Sequence, residues 1–308
     1  MNKSKKNFWA ALLCGTFLLI GCQDNVNQDD IAEDTIRVMT FNMRQTAGID
    51  PVKQGKWVAS FNPDIVATQE VDKNTRRSDY DVTALFQKGG DFKHAFFSKQ
   101  MPFQGGDYGL AMFSNYEILG KETIPIYSDE WIGEEVLREE QKRLFDTMNP
   151  ENPLTLTAYD EFCERLEANG KCGIEPNIIQ KIVIEVNGKK VSVYGVHLSY
   201  EKVIIREKQR EELAQLLKDD KNKYQVVIGD FNNDQGIAEM NYFVENYNLA
   251  NGKDGIWHDT FPAGESTEML FYAIDNIVTT KNIIISNVHY EKTDLSDHTM
   301  LYADITLK

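Results

Sequence analysis

Gln225-Val226-Val227-Ile228-Gly229-Asp230-Phe231-Asn232 decides the fold class. Three β-branched residues in a row, closed by a glycine and then by polar residues, read as a buried strand that stops at a turn. Runs of the same kind lie at Thr35 to Phe41, Asp64 to Thr68, Lys181 to Val186 and Lys190 to Val196. Late strands are expected at Ala273 to Val278, Ile283 to His289 and Met300 to Thr306. Asn187-Gly188 separates two of these runs, and that dipeptide accepts the positive φ angles of a two-residue hairpin turn, so antiparallel pairing is expected there. Between strands the pattern shifts to the helical period. Over Glu201 to Lys218, Leu213, Leu216 and Leu217 share one face and charges occupy the other. The fold class is mixed α/β.

From about Tyr127 to Pro176 the alternation lapses. Leu137, Leu144, Phe145 and Met148 follow one helical stripe, and Leu156, Tyr159, Phe162 and Leu166 follow another, with the helix breakers Pro150 and Pro153 between them. The segment reads as a helical insertion over residues 127–176. A lid over the substrate and a purely structural annex are both open.

The N-terminus has its own signature. Lys3, Lys5 and Lys6 precede the uncharged run Phe8 to Ile20, the order of an export signal. The run is shorter than the roughly 20 residues a membrane-spanning helix needs, so a retained span is the weaker reading. Leu19-Ile20-Gly21-Cys22 resembles the lipobox of bacterial lipoproteins, which implies a signal peptide over residues 1–21 and lipidation of Cys22. Residues 22–34 are polar and acidic, too poor in apolar side chains to offset the cost of ordering, and read as a flexible tether. Its acids resemble the surface-export signal of some outer-membrane lipoproteins. The expected location is the bacterial cell envelope, lipid-anchored at the outer membrane and exposed at its surface.

The 308 residues carry 33 basic and 48 acidic side chains, a net charge of −15, which deepens to −18 if residues 1–21 with their three lysines are removed. Such a balance disfavours non-specific binding to polyanions, although a metal ion and a local basic rim can still receive phosphate. No protein partner is implied. Of the four cysteines, Cys14 leaves with the signal and Cys22 is acylated, so Cys163 and Cys172 are the candidates for a disulfide. Two cysteines without a nearby histidine do not complete a zinc shell.

Polar residues collect at the ends of the apolar strands, where rigid backbone holds catalytic groups well. Asn42 follows Val38-Met39-Thr40-Phe41, Glu70 follows Ile65 to Gln69, His197 follows Val193 to Val196, Asp230 and Asn232 follow Ile228-Gly229, and Asp297-His298 precedes the last strand. Taken singly, each is a turn former, a surface charge or a core histidine. As a set they are carboxylates, carboxamides and histidines, with no nucleophile elbow and no phosphate-binding glycine loop. That inventory suits hydrolysis of a phosphoester by water, with Mg2+ or Mn2+ on hard oxygen ligands.

The ordered set Thr40-Phe41-Asn42-Met43-Arg44, Gln69-Glu70-Val71, Tyr108 to Ser114, Val196-His197-Leu198, Gly229-Asp230-Phe231-Asn232, Ile274-Asp275-Asn276 and Ser296-Asp297-His298 resembles the endonuclease/exonuclease/phosphatase superfamily. The resemblance runs from residue 35 to the C-terminus and implies one domain over residues 35–308. It implies a four-layer sandwich of two mainly antiparallel sheets with helices outside. It further implies Glu70 as the principal metal ligand, with Asn42 beside the metal and Asp297 near it. By the same carry-over Asp230 prepares the attacking water, Asn232 donates to a phosphoryl oxygen, His197 and His298 contact the scissile phosphate, and Asp275 orients His298. The resemblance leaves open whether Asp230 or His298 is the base; Asp230 is preferred here.

Two departures bear on substrate. Leu110 stands where many relatives carry an asparagine, and Arg44 stands where some nuclease relatives carry an acid. Acidity and an anchor favour a small phosphoester, a lipid headgroup or a nucleotide, with nucleic acid and a deoxyribonuclease as the alternative. A binding lipoprotein that keeps the fold without catalysis is the rival class. His94, His258 and His289 match no motif and are read as structural.

Overall fold

Alternate residues along the first strand face opposite ways, and both faces are apolar, so the sheet that contains it must be covered on both sides. Ile36 and Val38 join one buried cluster while Met39 and Phe41 join another. The computed structural model describes residues 34–44, 48–128, 135–149, 151–169, 175–233, 237–262 and 272–308. The signal sequence, Cys22, the tether before Asp34, and Cys172 lie outside the described residues.

In chain order the first half contains β1 (Thr35–Asn42), α1 (Pro51–Ala59), β2 (Ile65–Lys73), α2 (Val82–Gly90), β3 (His94–Phe103), β4 (Gly106–Ser114), β5 (Gly120–Ile126) and α3 (Glu135–Thr147). Then come α4 (Pro153–Ala168), β6 (Asn177–Val186), β7 (Lys189–His197), α5 (Val203–Asp219) and β8 (Tyr224–Asp230). The last elements are α6 (Asn241–Asn246), β9 (Asn248–Leu249), β10 (Asp275–Thr279), β11 (Ile283–Glu291) and β12 (Met300–Leu307).

The strands form two six-stranded sheets, ordered β11-β12-β1-β2-β4-β3 and β5-β6-β7-β8-β10-β9. Ile36, Val38, Ile65, Ile182, Val226 and Ile305 belong to the cluster shared by the two inner faces. Val58 of α1 and Phe86 of α2 cover the outer face of the first sheet, and Leu213 and Leu217 of α5 with Phe243 of α6 cover that of the second. This is the four-layer arrangement that the resemblance implied. Asn187 (φ 48°) and Gly188 (φ 80°) make the expected hairpin between β6 and β7.

Two pairings are parallel, β1 with β2 and β7 with β8; the others are antiparallel. Parallel pairing brings strand ends together: Asn42 lies opposite Gln69, and His197 opposite Asp230. Antiparallel β10 then enters with Asp275 opposite Asp230.

The insertion is two helices, as expected, but its stripes differ in detail. Leu144, Phe145, Phe162 and Leu166 are buried, whereas Leu156 is 38% exposed and takes no part. Pro153 opens α4 at a position where its missing N–H costs nothing, so it starts the helix as well as ending the segment before it. Phe145 packs with Met101, Phe103 and Tyr108, and the Phe145 carbonyl accepts from the Gln104 backbone at 2.9 Å, fixing α3 to the β3–β4 hairpin. Among the described residues no helix is long and apolar enough to cross a membrane.

Helix α5 carries more than its leucines inward. Leu216 is only partly buried, while Arg206 is fully buried on the face that sequence periodicity gave to apolar residues. Its guanidinium pairs with Glu239 at 2.9 and 3.1 Å and donates to the Ser199 and Tyr200 carbonyls, holding the turn just past His197. Removing Glu239 leaves a buried cation with too few acceptors. Arg210 Nη1 pairs with Glu239 too, at 2.7 Å, so Glu239→Ala should lower the unfolding free energy by about 3–5 kcal/mol in urea denaturation, while the Arg206→Met/Arg210→Met/Glu239→Leu triple should cost far less. A Glu239→Ala midpoint equal to wild type would refute this account of the turn.

Candidate active site

Four strand ends, one β-bulge and one loop converge; Glu70, expected at a strand end, lies inside β2. Asn42, at the end of β1, is fully buried, and its Nδ2 donates to Glu70 Oε1 at 3.1 Å and to Asp230 Oδ2 at 3.3 Å. One carboxamide thus bridges carboxylates from opposite sheets. Glu70 reaches this point through a β-bulge: β2 and β4 are in register at Thr68–Ala111 and again at Val71–Gly109, and Glu70 takes φ 57°. A left-handed non-glycine residue costs about 1–3 kcal/mol and persists where surrounding structure enforces it. The bulge turns the Glu70 side chain out of the strand's ordinary alternation.

Asp230 is buried and accepts the Asn232 backbone N–H at 2.8 Å. His197 Nε2 and His298 Nε2 stand 3.8 and 3.9 Å from Asp230 Oδ2, close enough for charge attraction and too far for direct hydrogen bonds. His298 Nδ1 lies 2.9 Å from Asp275 Oδ2, which fixes the proton on Nδ1 toward the acid and leaves Nε2 facing Asp230. Asn232 (φ 48°) spends one amide hydrogen on the Leu198 carbonyl at 2.8 Å, which leaves its second hydrogen for another acceptor. Asp297 pairs with Arg44 Nε at 3.1 Å, so the cation at that position neutralises an acid of the site.

The backbone makes this convergence possible at Gly229. A Cβ there would meet the Val196 carbonyl oxygen at 2.0 Å, so only glycine lets β7 and β8 approach closely enough to face His197 with Asp230.

Charge is crowded. The Asp230 carboxyl is pushed above the usual carboxylate range by burial and then by the Asp275 charge, with His298 and His197 pulling the other way. Burial raises Asp297 too, against His298 and Arg44. Burial pulls the His298 imidazole down, but the charge and hydrogen bond of Asp275, with Asp230 and Glu70, outweigh it and lift it to about 10.

These donors fit a divalent cation. Asp230, Asp275 and His298 bring ligand atoms within 4.8 Å of one another. Asp275 Oδ2 and His298 Nδ1 pair with each other, which leaves the buried Asp275 Oδ1 and His298 Nε2 as the atoms this pair could offer an ion, although a hard ion prefers carboxylate and amide oxygens to imidazole.

A family model described as Endonuclease/Exonuclease/phosphatase family matches residues 39–298, from β1 through His298. The chain belongs to the Endonuclease/Exonuclease/phosphatase family. Members of the family are hydrolases acting on phosphoester bonds. A family structure from Bacteroides vulgatus has TM-score 0.63 at 17% identity, covering 89% of this chain and 99% of that one. One from Beutenbergia cavernae has TM-score 0.62 at 18% identity, covering 89% and 72%. The D. rerio TDP2 structure, complexed with a single-strand DNA product, has TM-score 0.59 at 14% identity, covering 88% and 99%. At these identities the structures share the fold. No curated protein matches the chain.

All eight residues singled out from sequence in this Endonuclease/Exonuclease/phosphatase chain therefore sit at one end of the sandwich. Leu110 does not face that end's solvent; it is 1% exposed and belongs to the interior. Several supporting residues were missed. Ser296 Oγ donates to the Asn42 carbonyl at 2.7 Å and accepts the His298 backbone N–H, tying the last loop to β1. Thr260 accepts the Asp275 backbone N–H, and the Phe261 ring lies 4.7 Å from that of His298. Ser296 had a signal, since it adjoins Asp297-His298; Thr260 and Phe261 carry none. Glu175 also neighbours the site, its carboxyl raised to about 8 by burial and then by Glu201 and Glu70.

His298 provides a direct measurement. In chelated protein its imidazole should titrate near 10 by NMR, and in Asp275→Asn it should fall toward the ordinary 6.5 or so. Because the folded value is the higher one, the stabilisation is complete below roughly pH 6.5 and is lost as pH rises through the folded value. A wild-type His298 that titrates at the ordinary value would overturn this electrostatic account.

Proposed function

We propose that this protein hydrolyses a phosphomonoester or phosphodiester by attack of water with the help of Mg2+ or Mn2+, at the bacterial cell envelope. The observation that carries the reading is the Asn42 bridge between Glu70 and Asp230, with the Nε2 atoms of His197 and His298 both within 3.9 Å of Asp230. Glu70, Asn42 and Asp297 would hold the cation, which when bound offsets charge on the phosphoryl oxygens.

The protein's own groups divide the remaining work. Asp230, with its raised proton affinity, takes a proton from the attacking water; burial makes it a better base than an exposed aspartate. His197 and His298 point Nε2 into the same space and donate to phosphoryl oxygens as negative charge develops there. Asp275 keeps His298 protonated and oriented. The free amide hydrogen of Asn232 supplies a further donor.

The acidic surface and the lipobox support a small phosphoester, a lipid headgroup or a nucleotide as substrate, reached by a chain anchored to the outer membrane through Cys22. A surface deoxyribonuclease is the second reading, supported by the relative solved with a single-strand DNA product.

Release of p-nitrophenol from its phosphate monoester and diester should require Mg2+ or Mn2+ and stop with chelator. Asp230→Asn should lower kcat by about 10²–10⁴-fold. Near-wild-type turnover in that variant would rule out the base assignment, and no turnover on a broad phosphoester panel would sink the enzyme reading. Plasmid nicking that disappears in Glu70→Ala would select the nuclease. Palmitate labelling that persists in Cys22→Ala would refute the anchor.

A further inference from the structure

A cavity of about 870 Å³ opens where the edge strands β3 and β5 of the two sheets meet under α3. It is within the size range of small-molecule sites. None of the catalytic or metal-site residues named above lines it. Met101, Pro125, Ile126, Phe145, Pro176 and Ile178 supply its apolar surface, and polar side chains share the lining.

Two of the polar side chains are buried with amide atoms left unpaired. Gln100 and Gln141 line the cavity at 8% and 6% exposure. Gln100 Oε1, Gln100 Nε2 and Gln141 Nε2 have no hydrogen-bond partner among the described residues. A buried amide left unpaired destabilises a fold, so three such atoms on one cavity wall need an explanation outside the fold.

The backbone places Gln100 there by a distinct device. The β3–β4 register slips between Lys99–Gly109 and Met101–Tyr108, which makes Gln100 the extra residue of a β-bulge. Bulges redirect side chains, and this one depends on Gly109, whose Cβ would meet the Ser98 carbonyl oxygen at 2.0 Å and the Gln100 nitrogen at 2.9 Å. Among the described lining residues both lysines are paired with acids, Lys99 with Asp107 and Lys142 with Glu139.

We propose that this cavity is an accessory binding site for an uncharged planar heterocycle of the purine class. A glutamine carboxamide presents a donor and an acceptor side by side, the complement of an adenine edge, and Gln141 adds a second donor for a ring nitrogen or carbonyl. Phe145, Met101 and Ile178 line the same cavity and offer apolar surface to a ring. Asn177 lines the same cavity and donates to the His197 carbonyl at 3.3 Å, so the site shares a wall with the strand end that carries His197.

Calorimetric titration of the full chain with adenosine, guanosine and uridine tests this without using turnover. Adenosine or guanosine should bind wild type and Glu70→Gln alike, and Gln100→Leu and Gln141→Leu should each weaken binding about tenfold or more. Gln100→Leu should also raise the Tm of the ligand-free protein, because it removes a buried unpaired amide. Three results would overturn the proposal: no heat with any nucleoside up to about 1 mM, binding that is lost in Glu70→Gln but kept in both glutamine variants, or a lowered Tm in Gln100→Leu. Uridine binding as tightly as the purines would overturn the assignment of class.

Discussion

The two hydrogens of one buried amide hold the catalytic end together. Asn42 gives one to Glu70 and the other to Asp230, and those acids arrive on different sheets. Face-to-face packing of apolar sheets fixes the distance between layers without regard to the charges at their rims. The bridge lets two carboxylates share a low-dielectric space in which their mutual repulsion would otherwise oppose the packing. Every nearby device serves the same end: the Glu70 bulge, the close approach at Gly229, and the Ser296 hydroxyl that binds the Asn42 carbonyl.

What could be read from sequence follows from what is local. Strand cores such as Val226 to Ile228 announce themselves by β-branching, and Asn187-Gly188 by its turn chemistry, and both are where expected. Strand β4 was recognisable only as a motif, because Gly106-Asp107-Tyr108-Gly109 is poor in strand formers and the strand is stabilised by neighbours on both sides. Helices α1 and α2 went unread although Asp50-Pro51 and Asp81 are helix-start signals: Asp50 and Asp81 each accept a backbone N–H of the first turn.

The site was legible as an ordered inventory, and its geometry was not. Nothing around Glu70 marks a residue with positive φ, since the bulge is imposed by the partner strand. Arg206 reads as a solvated charge because its compensation comes from Glu239 and from two carbonyls distant in local pattern. Leu110, which departs from the asparagine of many relatives, is an interior side chain. The insertion was legible in its helices but not in its anchorage, which depends on the Phe145 carbonyl meeting Gln104.

The pairing of β1 with β12 joins the two ends of the domain, Thr35 opposite Thr306. The hydrogen bond from Ser296 to Asn42 spans 254 residues of chain. Because synthesis runs from the N-terminus, the acids of the first strands exist long before the loop that completes their surroundings. The centre is thus assembled last, and a nascent or truncated chain holds most of its acids before the arrangement that gathers them exists.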